Sequence, residues 1–415
     1  MNRLKGLFTF IFEVREDSMS QFLIYGLTAL GTAVFDLIDS AFGNNLGIDS
    51  ICVMSSVIVI TWCMGVAGNL GRFAFDVKQS CVADCAVLQL IASVVVGGIV
   101  WVLQGVIPHV YSLTAVQYAL MQKCLAVYAI FFPIKSMACF FRNVVACQSR
   151  IKLHCGITVI FYSIMIALDV LVIVCNGECY HLVLTTGISY TVMLILYLVL
   201  AKALAGIGKP SLTGIMGVWC CAKEVLCERV FGKVTTVAFG ALASRLGTRN
   251  YALHSIAYSL AVGTEYVTSE WQRMQLITLK GTEVLYKKWQ QCKSLGKKMF
   301  VPGIVMCYLS VFVLIIPLHG ECDLVDSFWF SCLYSTQCLS MALFENSRGF
   351  LMSAGQTGML KWGSLIGILI RIPIALLGAF TPLGIYAFAF ASFIDYALRG
   401  LFFVHVAKNL CGSKV

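Results

Sequence analysis

Long apolar stretches follow one another along almost the whole chain, separated by short polar segments. A helix of about 20 apolar residues crosses the hydrocarbon core of a bilayer, and about twelve stretches of that length are present. They lie near residues 20–42, 50–70, 84–107, 114–141, 152–175, 181–205, 211–243, 250–275, 299–318, 327–350, 360–380 and 384–407. The pattern predicts an all-α polytopic membrane protein with little chain left for a soluble domain.

Composition supports this prediction. Hydrophobic residues make up 59% of the 415 residues and charged residues only 12%, whereas soluble domains carry about 25% charged residues. The basic and apolar segment at residues 1–18 has no small-residue cleavage site, so a cleaved signal peptide is not expected.

The charge of the chain is distributed unevenly among the predicted loops. The net charge is +10, and Lys and Arg cluster in alternate loops, with Arg245 and Arg249 as the exception. The positive-inside rule therefore predicts that both termini are cytoplasmic. A basic cytoplasmic face explains the charge without nucleic-acid binding. The short loops favour a multi-pass protein of a bacterial plasma (inner) membrane.

The 19 cysteines are scattered through apolar segments, as packing residues are, and do not form a disulfide framework. Three of them, Cys175, Cys179 and Cys322, fall in or near predicted outside loops, where a disulfide is an open alternative. No paired-cysteine motif or histidine cluster indicates a metal site, and no cofactor is expected.

A weak internal repeat spans about 200 residues, which is the internal symmetry expected of many transporters. The surroundings of Leu46 resemble those of Leu246, and residues 140–161 resemble 346–367. We therefore expect two pseudo-symmetric six-helix bundles in one orientation, with the substrate held between them near the midplane. The predicted organisation is a cytoplasmic segment 1–19, bundles 20–205 and 211–407, a linker 206–210 and a tail 408–415.

Carboxylates within apolar stretches point to function. A carboxylate in the bilayer core costs roughly 2.5–3.5 kcal/mol on insertion scales, and residues of this kind usually mark ion or substrate pathways. Asp39, Asp169 and Glu228 lie in such stretches. The alternatives are that Asp39 is hydrated near the outer interface and that Glu228 joins an ion-pair network with nearby lysines and Glu224.

Motifs in the second half resemble those of the multidrug and toxic compound extrusion (MATE) transporters, within a superfamily that includes lipid-linked oligosaccharide flippases. Residues 228–254 resemble the seventh-helix pattern of Glu, a long apolar stretch, Leu-Gly-Thr and a His. Residues 348–358 resemble the Arg-Gly-x-Gly-Asp-Thr turn, with Gln356 in place of Asp. Residues 371–403 resemble the pattern of the last two helices.

The first half carries weaker versions of the family motifs. Asp39 stands at the Asp position of the first-helix motif and Asp169 at the Asp position of the fifth-helix motif. Thr186 stands at the Thr position of the sixth-helix motif. The chain departs from the pattern at Met165, where the family has Asn, and in the eighth helix, which here contains Glu265 and further charges.

The resemblance implies a cation site and a substrate cavity. Asp39, Asp169 and Thr186, joined by Asp36 one turn away, would offer oxygen ligands for Na⁺ or the same carboxylates for H⁺. Glu228 and Glu265 would line the substrate cavity. The chain would export an organic compound, of which cationic drugs or metabolites are one class, by antiport with rocking alternating access, and would work as a monomer.

Other interpretations remain open at this stage. A lipid-linked glycan flippase would favour basic over acidic cavity residues, a transport-inactive relative would explain the departures from the motifs, and no motif of a membrane-embedded enzyme is found. The aromatic residues Trp62, Tyr128 and Tyr162 would line a cavity for flat cations or would only pack. His254 and the pair Asp395 and Arg399 are interpreted mainly as structural.

Overall fold

The computed structural model describes residues 46–78, 81–147, 151–199, 208–255, 257–258, 285–290, 292–294, 324–354 and 356–412. These residues form helices joined by short loops, and no strand occurs among them. The helices are α1 (Ile48–Gly68), α2 (Leu70–Lys78), α3 (Val82–Leu103), α4 (Ala115–Cys147), α5 (Ile151–Val174), α6 (Cys179–Val199), α7 (Leu212–Ser244), α8 (Leu324–Ser335), α9 (Gln337–Ser353), α10 (Leu360–Phe380) and α11 (Gly384–Leu410).

Within the described residues, seven helices are long and apolar enough to cross a membrane, namely α1, α3, α4, α5, α6, α10 and α11. Each matches a predicted stretch closely. The predicted spans 211–243 and 327–350 are also helical, although the first carries five charged residues and the second is divided into two helices at Thr336. The predicted spans 20–42 and 299–318, and most of 250–275, lie outside the described residues.

The contacts divide the described chain into two units, which we call the first unit (residues 46–248) and the second unit (residues 249–412). Helix α7 packs on α1, α2 and α3 and so belongs to the first unit, although it follows the predicted linker 206–210. The bundle bounds 20–205 and 211–407, which rest on the internal repeat, stay a prediction.

A buried carboxylate attaches α7 to the rest of the first unit. Asp84 lies in the first turn of α3, is 6% exposed, and accepts a hydrogen bond of 2.7 Å from the backbone amide of Ser211. The Ser211 hydroxyl in turn accepts from the Gly214 amide at 3.0 Å and caps α7. Because a helix N-terminus carries partial positive charge, the carboxylate is stabilised there.

A buried polar network holds the break between α1 and α2. Gln89, fully buried on α3, donates to the Asn69 side-chain oxygen at 2.7 Å and to the Ser136 hydroxyl of α4 at 2.6 Å. Its own amide oxygen accepts from the Arg72 backbone amide at 3.1 Å. These bonds satisfy the polar groups that the break at Asn69 exposes, which membrane burial requires.

Two glycines allow the helices around this break to pack closely. A Cβ atom at Gly71 would lie 1.9 Å from the backbone oxygen of Cys85, and one at Gly68 would lie 2.4 Å from the Phe132 ring. Small residues at such positions are typical of helix contacts in membranes. The outer face of α3 instead carries exposed apolar side chains, with Val102 77% exposed, as expected for contact with lipid.

In the second unit, α10 and α11 form an antiparallel hairpin that turns at Gly384, whose φ of +52° favours glycine. A Cβ atom at Gly363 would lie 2.3 Å from the Phe403 ring, so α10 and α11 lie close together. An aromatic core packs beside this hairpin, where Phe344 stacks on Phe403 with ring centroids 5.6 Å apart.

Replacing Gln89 by Leu is expected to destabilise the first unit by about 1–3 kcal/mol, because Asn69 and Ser136 lose their buried donor. Thermal unfolding of the purified protein in detergent measures the change. The control is Ser93→Ala, since the Ser93 hydroxyl donates to the Leu90 carbonyl of its own helix. Equal unfolding temperatures for the two variants would contradict a structural role for the network.

Candidate functional site

The predicted carboxylate Asp169 lies fully buried in the last third of α5. Its Oδ1 atom accepts a hydrogen bond of 2.5 Å from the hydroxyl of Thr185 on the neighbouring helix α6. The Thr185 hydroxyl also lies 2.7 Å from the Leu182 carbonyl of its own helix. The structure therefore places one carboxylate and one hydroxyl, both with hard oxygen atoms, at the interface of two membrane-spanning helices.

The hydroxyl beside Asp169 belongs to Thr185 and differs by one residue from the predicted Thr186. The Thr186 hydroxyl donates to the Leu182 carbonyl at 2.9 Å, and its side chain is more exposed than that of Thr185. Successive residues of a helix point about 100° apart, so only one of the two threonines faces α5. The family motif indicated Thr186. The packing of α6 against α5 instead directs the hydroxyl of the preceding residue, Thr185, at the carboxylate.

The other predicted site residues are not brought together within the described part of the chain. Asp36 and Asp39 lie outside the described residues, and so does Glu265. Glu228 lies on α7, whose backbone is described there, but its side chain is not. No group of three metal-ligating side chains occurs among the described residues.

A lysine that the sequence analysis overlooked lies close to the middle of the membrane-spanning part of α4, Ala115–Val145. The ammonium of Lys135 is 5.0 Å from the ring centroid of Tyr128, two turns earlier on α4, and 5.1 Å from that of Tyr190 on α6. Cation–π contacts contribute up to about 2 kcal/mol when desolvated, against an insertion cost for lysine of roughly 2.5–3.5 kcal/mol. The two rings offset much of this cost without neutralising the charge.

A close helix contact positions this lysine. A Cβ atom at Gly187 would lie 2.4 Å from the Phe131 ring, so α4 and α6 approach one another one turn away from Lys135 and Tyr190. Tyr190 also contacts Phe161 of α5, with ring centroids 4.8 Å apart. Tyr190 and Thr185 lie five residues apart on α6, which is about 7.5 Å along the helix. Lys135 of α4 and Asp169 of α5 thus each contact a residue of the same helix, α6.

A second lysine repeats this arrangement on α7. The Lys233 ammonium lies 4.8 Å from the ring centroid of Trp62 on α1. The sequence analysis offered Trp62 and Tyr128 as surfaces for a cationic substrate. In the structure each of these two rings contacts a lysine of the chain itself. Tyr162 is buried and packs edge-on against Phe161.

The sequence contained the signal for Lys135. It stands in the apolar run Phe-Phe-Pro-Ile-Lys-Ser-Met-Ala, two residues after Pro133, and the rule that intramembrane charges mark function applies to cations as well as carboxylates. The aromatic partners of Lys135 could not be found in this way, because Tyr190 is 55 residues away along the chain.

In the second unit, Asp395 joins two arginines at the interface of α10 and α11. Its Oδ2 atom lies 2.6 Å from the Arg399 guanidinium and 3.8 Å from that of Arg371. Asp395 is 1% exposed, and the Arg399 guanidinium also stacks over Phe344. This network supports a structural role for these residues, because it joins α10 to α11 within the second unit.

His254 packs among aromatic rings of the second unit. Its ring centroid lies 5.8 Å from that of Tyr258, 5.8 Å from that of Tyr334 and 5.5 Å from that of Phe388. The residue is 3% exposed. These contacts favour a packing role for His254.

No family model matches the chain, and no curated protein matches it in sequence. Solved structures do match in fold. An inward-facing multidrug resistance MATE transporter of the MOP superfamily gives a TM-score of 0.74 at 11% identity, covering 94% of this chain and 100% of the other. The outward-facing conformation of such a transporter gives a TM-score of 0.70 at 11% identity, and the match covers 94% of each chain.

A third similar structure is a MOP superfamily transporter from Pyrococcus furiosus, with a TM-score of 0.71, 12% identity and 94% of both chains covered. That protein is described by the reverse polarity of its binding pocket, which suggests a different function. The chain therefore has the fold of the MATE transporters, and the predicted all-helical membrane fold class is confirmed.

Replacing Asp395 by Asn is expected to lower the free energy of unfolding by about 3–5 kcal/mol, because two buried arginines lose the carboxylate that they share. The measurement is thermal unfolding in detergent. The matched control is Glu178→Gln, which removes a carboxylate from the exposed pair with Lys123, where the side chains are 53% and 51% exposed. A similar small change in both variants would contradict the structural role.

Proposed function

We propose that this protein is a secondary transporter that moves an organic compound across the plasma membrane by alternating access, in exchange for Na⁺ or H⁺. The observation that carries the proposal is the fully buried Asp169, paired with Thr185 between two membrane-spanning helices. The fold, which the neighbours adopt in inward- and outward-facing states, supports the alternating-access part.

The proposed mechanism is linkage between a cation and the access state. A buried carboxylate with an adjacent hydroxyl either binds H⁺ or contributes to an oxygen site for Na⁺. If cation and cargo each stabilise a different access state, the inward cation gradient drives the cargo outward. Asp36 and Asp39 would complete the cation site. Thr185 would contribute its hydroxyl there in place of Thr186. Glu228 and Glu265 would line the substrate cavity.

The proposed setting follows the sequence. The protein would lie in a bacterial inner membrane with both termini in the cytoplasm, where the alternate loops are basic. It would act as a monomer on a small-molecule substrate, without a cofactor or nucleic-acid partner.

A lipid-linked glycan flippase is the second candidate function, and a specific observation favours it. Such a cargo carries phosphate, which basic cavity residues would bind, and Lys135 and Lys233 both lie near the middle of long helices in the first unit. The reverse pocket polarity described for the Pyrococcus furiosus neighbour is a precedent within this fold.

Reconstituted protein is expected to move a dye when a Na⁺ or pH gradient is imposed, and Asp169→Asn is expected to reduce the rate at least about tenfold, because the cation loses its charged ligand. The assay uses proteoliposomes with a cationic dye, ethidium, and an anionic dye, carboxyfluorescein. Glu178→Gln is the control, since this carboxylate is exposed. Gradient-driven movement that survives Asp169→Asn would exclude the proposed cation site.

A matched pair of threonine variants tests which hydroxyl acts at the site. Thr185→Val removes the donor to Asp169 and keeps the shape of the side chain, and it is expected to slow gradient-driven transport. Thr186→Val removes a hydroxyl that bonds its own helix and is expected to have little effect. The rates of the two variants are compared in the same proteoliposomes, and the reverse order would support the assignment made from the family motif.

A further inference from the structure

We propose that Lys135, together with the rings of Tyr128 and Tyr190, forms a recognition site for an anionic oxygen group, such as a phosphate, of the transported molecule. The inference rests on the proposed function in one respect, that the bound molecule is a cargo. It assigns the charge of that cargo, which neither the fold nor the family motifs determine.

The position of Lys135 suits a cargo site. The residue lies near the middle of the span Ala115–Val145 and is partly buried. Side chains on a helix point back toward its N-terminus, and the contact with Tyr128, seven residues earlier, shows that this lysine does so. Its charge therefore points toward the centre of this apolar span and away from the helix end at Val145.

The countercharge of Lys135 is absent from the described part of the chain. The ammonium lies over the rings of Tyr128 and Tyr190, and no carboxylate among the described residues lies within ion-pair distance of it. Lys123 on the same helix shows the contrast, because it forms a 2.9 Å ion pair with Glu178. Charged groups inside membranes are normally paired or serve a pathway, and an anion from the cargo would supply the missing charge.

The two rings select against a cation at the same place. Their faces are already directed at the lysine ammonium, so a cationic substrate would meet repulsion from a nearby positive charge instead of an open aromatic face. Elsewhere in the first unit, the Trp62 ring likewise contacts the ammonium of Lys233. The rings hold the ammonium in place and leave its positive field available to a ligand.

The close packing of α4 on α6 makes the site preorganised. Phe131 packs against Gly187 without room for a Cβ atom, and Phe161 packs against Tyr190. The ammonium and both rings are therefore held by helix contacts on either side. Preorganisation of this kind lowers the entropic cost of binding.

Binding of matched probes to the purified protein tests the charge of the ligand separately from transport. Dodecyl phosphate and dodecylammonium have the same chain and opposite charge, and we expect the phosphate to bind more tightly to the wild-type protein. Lys135→Met is expected to weaken phosphate binding at least about tenfold. Lys123→Met on the same helix is the matched control and is expected to leave the affinity unchanged.

Several outcomes would overturn the proposal. Tighter binding of the ammonium probe to the wild-type protein would do so, and so would equal phosphate affinity in the wild-type and Lys135→Met proteins. If Lys135→Met does not fold, Lys135→Arg and amine-specific labelling of the wild-type protein replace it. The site is supported if Lys135→Arg still binds the phosphate probe and if bound phosphate slows the labelling of Lys135. Labelling at the same rate with and without phosphate contradicts the site.

Two further arms identify the source of the anion. A polyprenyl phosphate represents a lipid-linked cargo and phenyl phosphate a soluble one, and the ligand that displaces dodecyl phosphate at lower concentration indicates the source. The outcome for transport is separate. Loss of phosphate binding with intact gradient-driven transport would remove this site alone, whereas intact binding without transport of either dye would contradict the proposed function and leave the site.

Discussion

Every buried polar group in this protein needs a partner inside the protein, because hydrocarbon offers none. This constraint explains much of the first unit. Gln89 bonds the polar atoms that the break at Asn69 exposes, and Asp84 accepts from the backbone amide of Ser211, the residue that caps α7. Removing such a partner in a membrane leaves a desolvated group, so these bonds determine where the helices break, begin and meet.

The same constraint separates structural charges from functional ones. Asp395 is enclosed by two arginines within the second unit, and its charge is used in holding α10 against α11. At Asp169 one contact is the neutral hydroxyl of Thr185, and at Lys135 the ammonium lies over two neutral rings. Neutral partners position a charge without cancelling it, and a charge positioned in this way can respond to a cation or a cargo.

Both groups depend on α6. The helix presents Thr185 to Asp169 of α5 and, just over a turn later, Tyr190 to Lys135 of α4. A cation bound at the first point and an anion bound at the second would therefore act on one rigid element, which is the physical connection that coupling requires. Between these two points Gly187 of α6 packs against the Phe131 ring of α4 without room for a Cβ atom, so the two helices lie close together there.

The sequence by itself determined the fold class, the bounds of most helices and the membrane setting, because apolar length and charge placement act locally along the chain. It also identified Asp169, since an isolated carboxylate in an apolar run is visible without a structure. Only the tertiary structure decided that Thr185 rather than Thr186 meets Asp169, that α7 packs with the first unit, and that Tyr128 and Trp62 contact lysines. These outcomes depend on helix rotation and on contacts between residues distant in sequence, which hydrophobic periodicity does not encode.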